Sequence, residues 1–230
     1  MSTVAEANQQ HFNKAAADYD NRYKETLGRI ENELRDNLDL IGIKQGGRLL
    51  DYACGTGLLS RTFQSHVGQT VGIDISENMV EMFNANAAAK GLTKDQCYAY
   101  FGNLIDPSDA VGPPSLAGPE FQSFDVAGVG AGFHHFDDTI LAATRLGERL
   151  KSGGTFFIVD FLPHAPLDHG HAGHHSVQHN GFSEDNTKEL FDKAGLGKDF
   201  AFKKMDTVFE MKRGDTTITR HCFLARGTRI

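Results

Sequence analysis

Short apolar runs alternate with amphipathic stretches along the chain from about residue 46 onward. The amphipathic stretches place apolar residues at helical spacing, as in Met79, Val80 and Phe83 behind a helix-capping residue, Ser76. Apolar runs bounded by turn residues predict strands at residues 48–52, 70–74, 97–101, 124–129 and 155–161. Because strand and helix alternate, the pattern predicts an α/β fold built on a doubly wound, mostly parallel sheet.

The start of the chain departs from this alternation. Residues 5–45 have helical spacing throughout, and a separate second helix is predicted at residues 26–40 from the stripe formed by Leu27, Ile30, Leu34 and Leu38. These helices precede the first strand. The sequence therefore predicts an N-terminal helical cap over residues 1–45 and a core over residues 46–230.

The second half of the chain contains two further deviations. Four of the six prolines fall between residues 106 and 120, which predicts a loop-like crossover instead of a long helix. After predicted helices at residues 139–150 and from Ser183 onward, the segments 206–211 and 216–224 flank a turn at Gly214. This arrangement predicts an antiparallel hairpin that completes a seven-stranded sheet.

Composition and charge exclude several classes of protein. A chain of 230 residues is a size that one α/β core can bury. The net charge of -7 argues against a nucleic-acid-binding protein, which would need a basic face. No apolar run is long enough to cross a membrane, and the first residues lack a secretory pattern, so we expect a cytoplasmic protein. The three cysteines are far apart, which argues against a disulfide framework.

Polar residues at the ends of the first two strands carry the candidate chemistry. Gly55 and Gly57 form a turn that lets a ligand approach the backbone closely. Asp74, 19 residues after Gly55, ends the next strand, where it can accept hydrogen bonds from both hydroxyls of a ribose. Asp51 disfavours a phosphate and favours a ligand with a positive end, such as the ammonium of a methionine moiety. The third glycine of a dinucleotide fingerprint is replaced by Ser60.

Together these motifs resemble the class I S-adenosylmethionine-dependent methyltransferases, in particular the small-molecule group that includes the ubiquinone and menaquinone biosynthesis enzymes. The resemblance covers most of residues 46 to 225 and is carried by LLDYACGTG at 49–57, VGIDISENM at 71–79, FDV at 124–126, FHHF at 133–136 and LKSGG at 150–154. It implies a Rossmann-like core, S-adenosyl-L-methionine as cofactor and a small-molecule methyl acceptor as partner.

The resemblance also implies roles for individual residues. Ile75 and Leu104 would sandwich the adenine, and Asn103 occupies the place of an acid that accepts from the adenine amino group, although a turn-forming role is equally open. Tyr19 or Tyr23 in the cap would close over the ligand, or would simply pack on the core. The predicted cofactor-binding residues are Tyr19, Asp51, Ala53, Gly55, Gly57, Asp74, Ile75, Met79, Asn103, Leu104 and Gly130.

Histidines supply the candidate catalytic groups. Successive side chains diverge along an extended segment, so at most one of His134 and His135 should face the pocket, and His134 is predicted as a general base or orienting donor. Alternatively, His134 is a structural histidine that forms hydrogen bonds within the loop. Six of the eleven histidines fall within sixteen positions: His164, His169, His171, His174, His175 and His179.

This histidine segment has three possible roles. His171 and His175 are four residues apart and, with Asp168, could bind a metal if helical. One or two histidines could instead act as bases or donors toward the acceptor, or the segment could be a solvated lid. We predict catalytic roles for His134 and His175 and no metal site.

The implied reaction is an in-line displacement in which the acceptor attacks the methyl carbon of a sulfonium. The acceptor atom, oxygen, nitrogen, sulfur or carbon, is left open by the sequence, as is the oligomeric state. Two other classes stay open as well. A non-catalytic S-adenosylmethionine-binding or metal-sensing protein would keep the same turn, whereas a nicotinamide oxidoreductase would need a third glycine and would lack the terminal hairpin.

Overall fold

The structure, a computed structural model, describes residues 3–109, 113–166, 176–213 and 216–230; the side chains of residues 212–216 lie outside the description. The helices are α1 (Val4–Arg35), α2 (Leu38–Ile41), α3 (Leu58–Phe63), α4 (Glu77–Ala89), α5 (Thr139–Glu148) and α6 (Glu184–Lys193). The strands are β1 (Arg48–Tyr52), β2 (Gln69–Asp74), β3 (Cys97–Phe101), β4 (Phe124–Gly130), β5 (Leu150–Phe161), β6 (Lys198–Arg213) and β7 (Thr216–Thr228). Short 3-10 helices span Pro114–Leu116, Pro119–Phe121 and Phe133–His135.

All seven strands form one sheet in the order β3-β2-β1-β4-β5-β7-β6. The first five strands pair in parallel, while β7 pairs antiparallel with both β5 and β6. This confirms the predicted α/β fold with its terminal hairpin. The strand order reverses between β1 and β4, and open α/β sheets bind ligands beyond the carboxyl ends of their strands at such a point.

The N-terminal cap contains one long helix where the sequence predicted a separate helix over residues 26–40. Helix α1 is continuous for 32 residues and passes through Gly28 without a break. Its N-terminus is fixed by a capping box between Thr3 and Glu6. Because no proline interrupts the stretch and Leu27 and Ile30 are buried against the core, packing holds the helix together across the glycine.

Helix starts follow the predicted caps. The Ser76 hydroxyl accepts from the backbone N–H of Met79 at 3.2 Å, and the Ser183 hydroxyl does the same for Asn186. Helix α5 ends at Glu148, two residues before its predicted end, and β5 starts at Leu150, five residues before the predicted start of that strand. No helix among the described residues is long and apolar enough to cross a membrane.

Candidate active site

A cavity of about 740 Å³ lies at the carboxyl ends of β1 to β4, on the side covered by the N-terminal half of α1. Its size is within the range of sites that bind cofactors and small molecules. Eight of the predicted cofactor-binding residues line it: Tyr19, Ala53, Gly55, Asp74, Ile75, Met79, Asn103 and Gly130. The fold therefore brings together residues from four strand ends and from the cap helix.

Three other predicted residues do not line this cavity. Asp51 is buried behind the turn, and Leu104 is buried in the core with 1% exposure. Gly57 adopts φ 100° and starts α3; a Cβ there would lie 3.1 Å from the Phe83 ring. That close approach explains why glycine is needed at this position. The cofactor contacts expected of these three residues stay predictions.

Asp74 is held in place by the backbone of two loops. Its Oδ2 accepts from the Gly55 N–H at 2.8 Å, and its Oδ1 accepts from the Ser76 N–H at 2.8 Å. Burial raises the pKa of this carboxyl to about 6. Each carboxylate oxygen can accept a second hydrogen bond, so the side chain can still bind two hydroxyl groups in the cavity.

Asp51 is directed at the start of α3. Its Oδ2 accepts from both the Ser60 N–H at 3.1 Å and the Ser60 hydroxyl at 2.7 Å. The pKa of the carboxyl is raised from 3.8 to about 7, mainly by burial; the two Ser60 hydrogen bonds lower it and the charge of Asp74 raises it. Ser60, which replaces the third glycine of a dinucleotide fingerprint, thus anchors the strand-to-helix turn.

Asp51→Asn is expected to reduce the pH dependence of stability. The folded protein keeps the Asp51 proton up to pH about 7, whereas the unfolded chain loses it near 3.8, so this group lowers the free energy of unfolding as pH rises between those values. Urea unfolding from pH 5 to 8 would measure the effect. Asp39→Asn, at an exposed carboxyl, is the control, and equal pH dependence in wild type and D51N would contradict the prediction.

The turn after β3 has its own hydrogen-bond network. The Asn103 side-chain oxygen accepts from the Tyr52 hydroxyl at 3.2 Å and from the Ile105 N–H at 3.0 Å. Burial raises the pKa of Tyr52, which keeps its hydroxyl protonated as a donor. Leu104 packs into the core, and the next residue, Ile105, lines the cavity.

Helix α1 is tied to the cavity rim at three places. Asn8 donates from its side-chain nitrogen to the His135 carbonyl at 3.0 Å, the Asn13 side-chain oxygen accepts from the Ser76 hydroxyl at 2.6 Å, and Thr56 donates to Asp20 at 2.5 Å. The Asn8 side-chain oxygen is buried, lies on a cavity-lining residue and has no partner among the described residues. A buried acceptor left in this state fits a ligand that donates a hydrogen bond. No sequence pattern marked Asn8.

A second cavity of about 330 Å³ adjoins the first over the ends of β4, β5 and the terminal hairpin. The two cavities share four wall residues: Phe12, Tyr19, Ala131 and His135. Tyr19, predicted to close over the ligand, therefore borders both cavities. Burial raises the pKa of its hydroxyl, so the group stays neutral.

His134 lines the second cavity and forms a buried pair with Asp160 near the end of β5. The ring Nδ1 donates to Asp160 Oδ1 at 2.8 Å, and the His134 backbone N–H donates to Oδ2 at 3.1 Å. Asp160 also accepts from the Phe161 N–H at 2.7 Å. The contact holds the proton on Nδ1, and Nε2 has no hydrogen-bond partner among the described residues, so Nε2 can accept a proton.

The expectation that only one of the two adjacent histidines faces the pocket is wrong. Residues Phe133–His135 form a 3-10 turn, so successive side chains do not diverge as they would in an extended segment. Both rings face a cavity, with centroids 4.0 Å apart. His135 donates from Nδ1 to the Ser176 carbonyl at 2.7 Å, and burial lowers its pKa well below the usual range.

Most of the histidine segment, including the predicted catalytic His175, lies outside the described residues, as do His169, His171 and His174. His164 lines the second cavity, and burial lowers its pKa. His179 instead donates to the Phe136 carbonyl at 3.0 Å. Within the described parts of the chain, no three histidine, cysteine or acidic side chains are grouped as metal ligands would be.

The family model described as "Methyltransferase domain" matches residues 26–198. This chain belongs to that methyltransferase family. The match covers the glycine turn, Asp74 and the His134–Asp160 pair, while about the first two thirds of α1 and all but the first residue of the terminal hairpin lie outside it.

Three relatives show how far the likeness extends. An uncharacterized methyltransferase of Schizosaccharomyces pombe is 28% identical over 234 residues, covering 85% of this chain and 81% of that protein. A demethylmenaquinone methyltransferase of Staphylococcus aureus is 31% identical over 117 residues, which is 50% of this chain and only 43% of that enzyme. The solved structure of phosphoethanolamine N-methyltransferase 2 of Haemonchus contortus with S-adenosyl-L-methionine has a TM-score of 0.62 at 16% identity, covering 86% of this chain and 52% of that one.

The family match makes this chain a methyltransferase, and its fold is that of the class I S-adenosylmethionine-dependent methyltransferases. The predicted quinone-biosynthesis subgroup stays a prediction, because the alignment with the demethylmenaquinone enzyme covers only half of this chain.

Proposed function

We propose that this methyltransferase transfers a methyl group to a small-molecule acceptor that binds in the second cavity. The observation that carries the proposal is the pair of adjoining cavities: one of about 740 Å³ along the strand ends, and one of about 330 Å³ beside it. The smaller volume suits a small molecule. The shared wall at Tyr19 and Ala131 would let two bound ligands meet.

The residues that line the larger cavity suit the hydrogen-bonding groups of S-adenosylmethionine. Asp74 would accept from the ribose hydroxyls, Asn103 and Ile105 would contact the adenine, and the turn at Gly55 would allow close approach of the methionine part. The unpartnered Asn8 oxygen would accept from one of the ligand's N–H or O–H groups. When bound, this cofactor supplies an electrophilic methyl carbon on a positively charged sulfur.

The His134–Asp160 pair would serve an acceptor that carries a proton on its nucleophile. With Nδ1 donating to Asp160, Nε2 would take the proton of a hydroxyl as its oxygen forms the new bond to the methyl carbon. The electrons of the broken carbon–sulfur bond stay on sulfur. Asp160 thus acts as a positioning residue, because it contacts the base instead of the reacting atoms.

Helix α1 would contribute by excluding water and fixing the two ligands. Its residues Phe12 and Tyr19 line both cavities, and its three polar ties hold it over the strand ends. Holding two reactants in a fixed relation removes much of the entropic barrier to their reaction.

Calorimetric titration with S-adenosylhomocysteine tests the cofactor half of this proposal. We expect micromolar affinity at one site per chain and no comparable binding of NADH, the control for an oxidoreductase. Incubation with methyl-labelled S-adenosylmethionine and a fractionated cell extract tests the acceptor half. The label should enter the small-molecule fraction. Absence of S-adenosylhomocysteine binding would contradict the whole proposal, and label found only in protein or RNA would contradict the acceptor class.

A further inference from the structure

The second cavity has positively charged walls although the whole chain carries a net charge of -7. Lys14, Arg22 and Arg220 line it, against the single carboxylate of Asp18, which gives a formal charge of +2 (three minus one). Burial lowers the pKa of both His135 and His164, so these histidines add no positive charge. Asp160 lies behind His134, and its charge is met by three N–H donors.

Arg220 is the least exposed of these three cations, because Lys14 and Arg22 are both exposed. It is half-buried on β7, and its guanidinium donates to the backbone carbonyls of Ala165 at 3.2 Å and Thr219 at 3.5 Å. Among the described residues, no carboxylate lies within ion-pair distance of it. Arg22, by contrast, faces Asp18 at 3.9 Å, although both side chains are largely exposed and the pair is weak.

Some other arginines of this protein have carboxylate partners, whereas the buried Arg145 and Arg149 donate only to backbone carbonyls among the described residues. Arg61 pairs with Glu31 at 3.2 Å and Arg29 with Glu210 at 2.8 Å. A guanidinium stays charged in a protein and binds carboxylates and phosphates through paired N–H donors. Arg220 is therefore a half-buried, cavity-lining charge whose partners in the described structure are neutral carbonyls, and an anionic ligand group would complete its coordination.

Aromatic rings line the same cavity as Arg220 and His134. The ring of Tyr23 lies 5.1 Å from Phe209, which lies 5.4 Å from Phe161, which lies 4.9 Å from His134, all measured between centroids. Tyr23, Phe161 and Phe209 all line the cavity, and aromatic rings can pack on a flat aromatic ligand in the same offset or edge-on geometry. The wall thus has a charged position, an aromatic surface and a proton acceptor.

We propose that the methyl acceptor is an aromatic hydroxy compound with an anionic group, bound through that group by Arg220. This inference rests on the proposed function and specifies its substrate. The aromatic body packs on Phe161 and Phe209, and the hydroxyl reaches His134. The proton moves from this hydroxyl to Nε2, an oxygen–methyl bond forms, and the carbon–sulfur bond breaks. Carboxylate and phosphate share the anionic chemistry that Arg220 recognises.

Matched probes test the inference with protein saturated with S-adenosylhomocysteine. 4-Hydroxybenzoate and 4-hydroxyphenyl phosphate are compared by calorimetry with uncharged 4-hydroxybenzyl alcohol. At least one of the two anionic probes should bind about tenfold or more tightly than the alcohol. The tighter-binding anion identifies whether the cavity prefers a carboxylate or a phosphate. The preference should shrink between about 0.05 and 0.5 M salt.

Variants of Arg220 then test whether this residue causes the preference for anionic probes. Arg220→Met should remove it, and Arg220→Lys should keep part of it, because the charge remains without the paired donors. Lys24→Met removes the same charge from an exposed site on α1 outside both cavities and should leave the preference unchanged. Unchanged S-adenosylhomocysteine affinity shows that each variant is folded. If Arg220→Met does not fold, the inference is tested by the affinities of Arg220→Lys and by the salt dependence of the preference in wild type.

The outcomes separate this inference from the function on which it rests. If wild-type protein does not bind S-adenosylhomocysteine, the proposed function fails. If it does, the inference is overturned by probes that do not bind at millimolar concentration, by anions that bind no better than the alcohol, or by a preference that survives in Arg220→Met.

Discussion

Replacing Asp74 with alanine is expected to weaken S-adenosylhomocysteine binding by about 2 to 4 kcal/mol, roughly 30- to 1000-fold. The proposed role of this carboxylate is to accept hydrogen bonds from both ribose hydroxyls, and its two oxygens are oriented for that by the Gly55 and Ser76 N–H groups. Binding should also weaken below pH about 6, because protonation of the carboxyl removes charge and one acceptor. Calorimetric titration from pH 5 to 8 measures both effects.

The control for Asp74→Ala is Glu77→Ala. Glu77 is an exposed acid at the start of α4, outside the cavity lining, so this variant removes one negative charge near the site without touching the predicted ribose ligand. Its affinity should match that of wild type. A folded Asp74→Ala protein with wild-type affinity would remove Asp74 from the cofactor site.

His134→Asn is expected to lower turnover by about 10²- to 10⁴-fold and to leave S-adenosylhomocysteine affinity nearly unchanged. Asparagine can still donate to Asp160 from its side-chain nitrogen, so the buried carboxylate keeps its partner. What the variant loses is Nε2, the proposed proton acceptor in the second cavity. Single-turnover rates with methyl-labelled cofactor measure the loss once an acceptor is identified.

Two comparisons make this result specific. His66→Asn removes a histidine that lines neither of the two cavities and should behave as wild type. Asp160→Asn should lower turnover by no more than His134→Asn does, since it alters the orientation and the tautomer of the base but leaves the imidazole ring in place. Equal losses of turnover and cofactor affinity in His134→Asn would assign His134 a structural role.

The sequence predicted the architecture of this methyltransferase well, because the relevant signals are local. The apolar runs located every strand of the parallel part of the sheet, and Ser76 and Ser183 marked helix starts by satisfying N–H groups within three residues. The glycine turn and Asp74 fall on the cavity because parallel strands end on one edge of the sheet. Such features depend on neighbours along the chain.

Local sequence patterns could not predict the contacts between residues that are far apart in the chain. Asp160 meets His134 across 26 positions, Asn8 meets His135 across 127, and Arg220 reaches the second cavity from the last strand. Nothing in the residues around each one specifies its partner. The same holds for the direction of Asp51, which caps α3 because the turn points its carboxylate toward Ser60.

The sequence by itself thus determined the order of the strands, the sheet and the place of the larger cavity, through propensity and hydrophobic period. Only the tertiary structure decided which side chains line the second cavity, because side-chain direction depends on local backbone geometry and on packing between elements far apart in sequence. The 3-10 turn that directs both His134 and His135 toward a cavity is one example. The placement of Arg220 in one cavity with aromatic rings from three other elements is another.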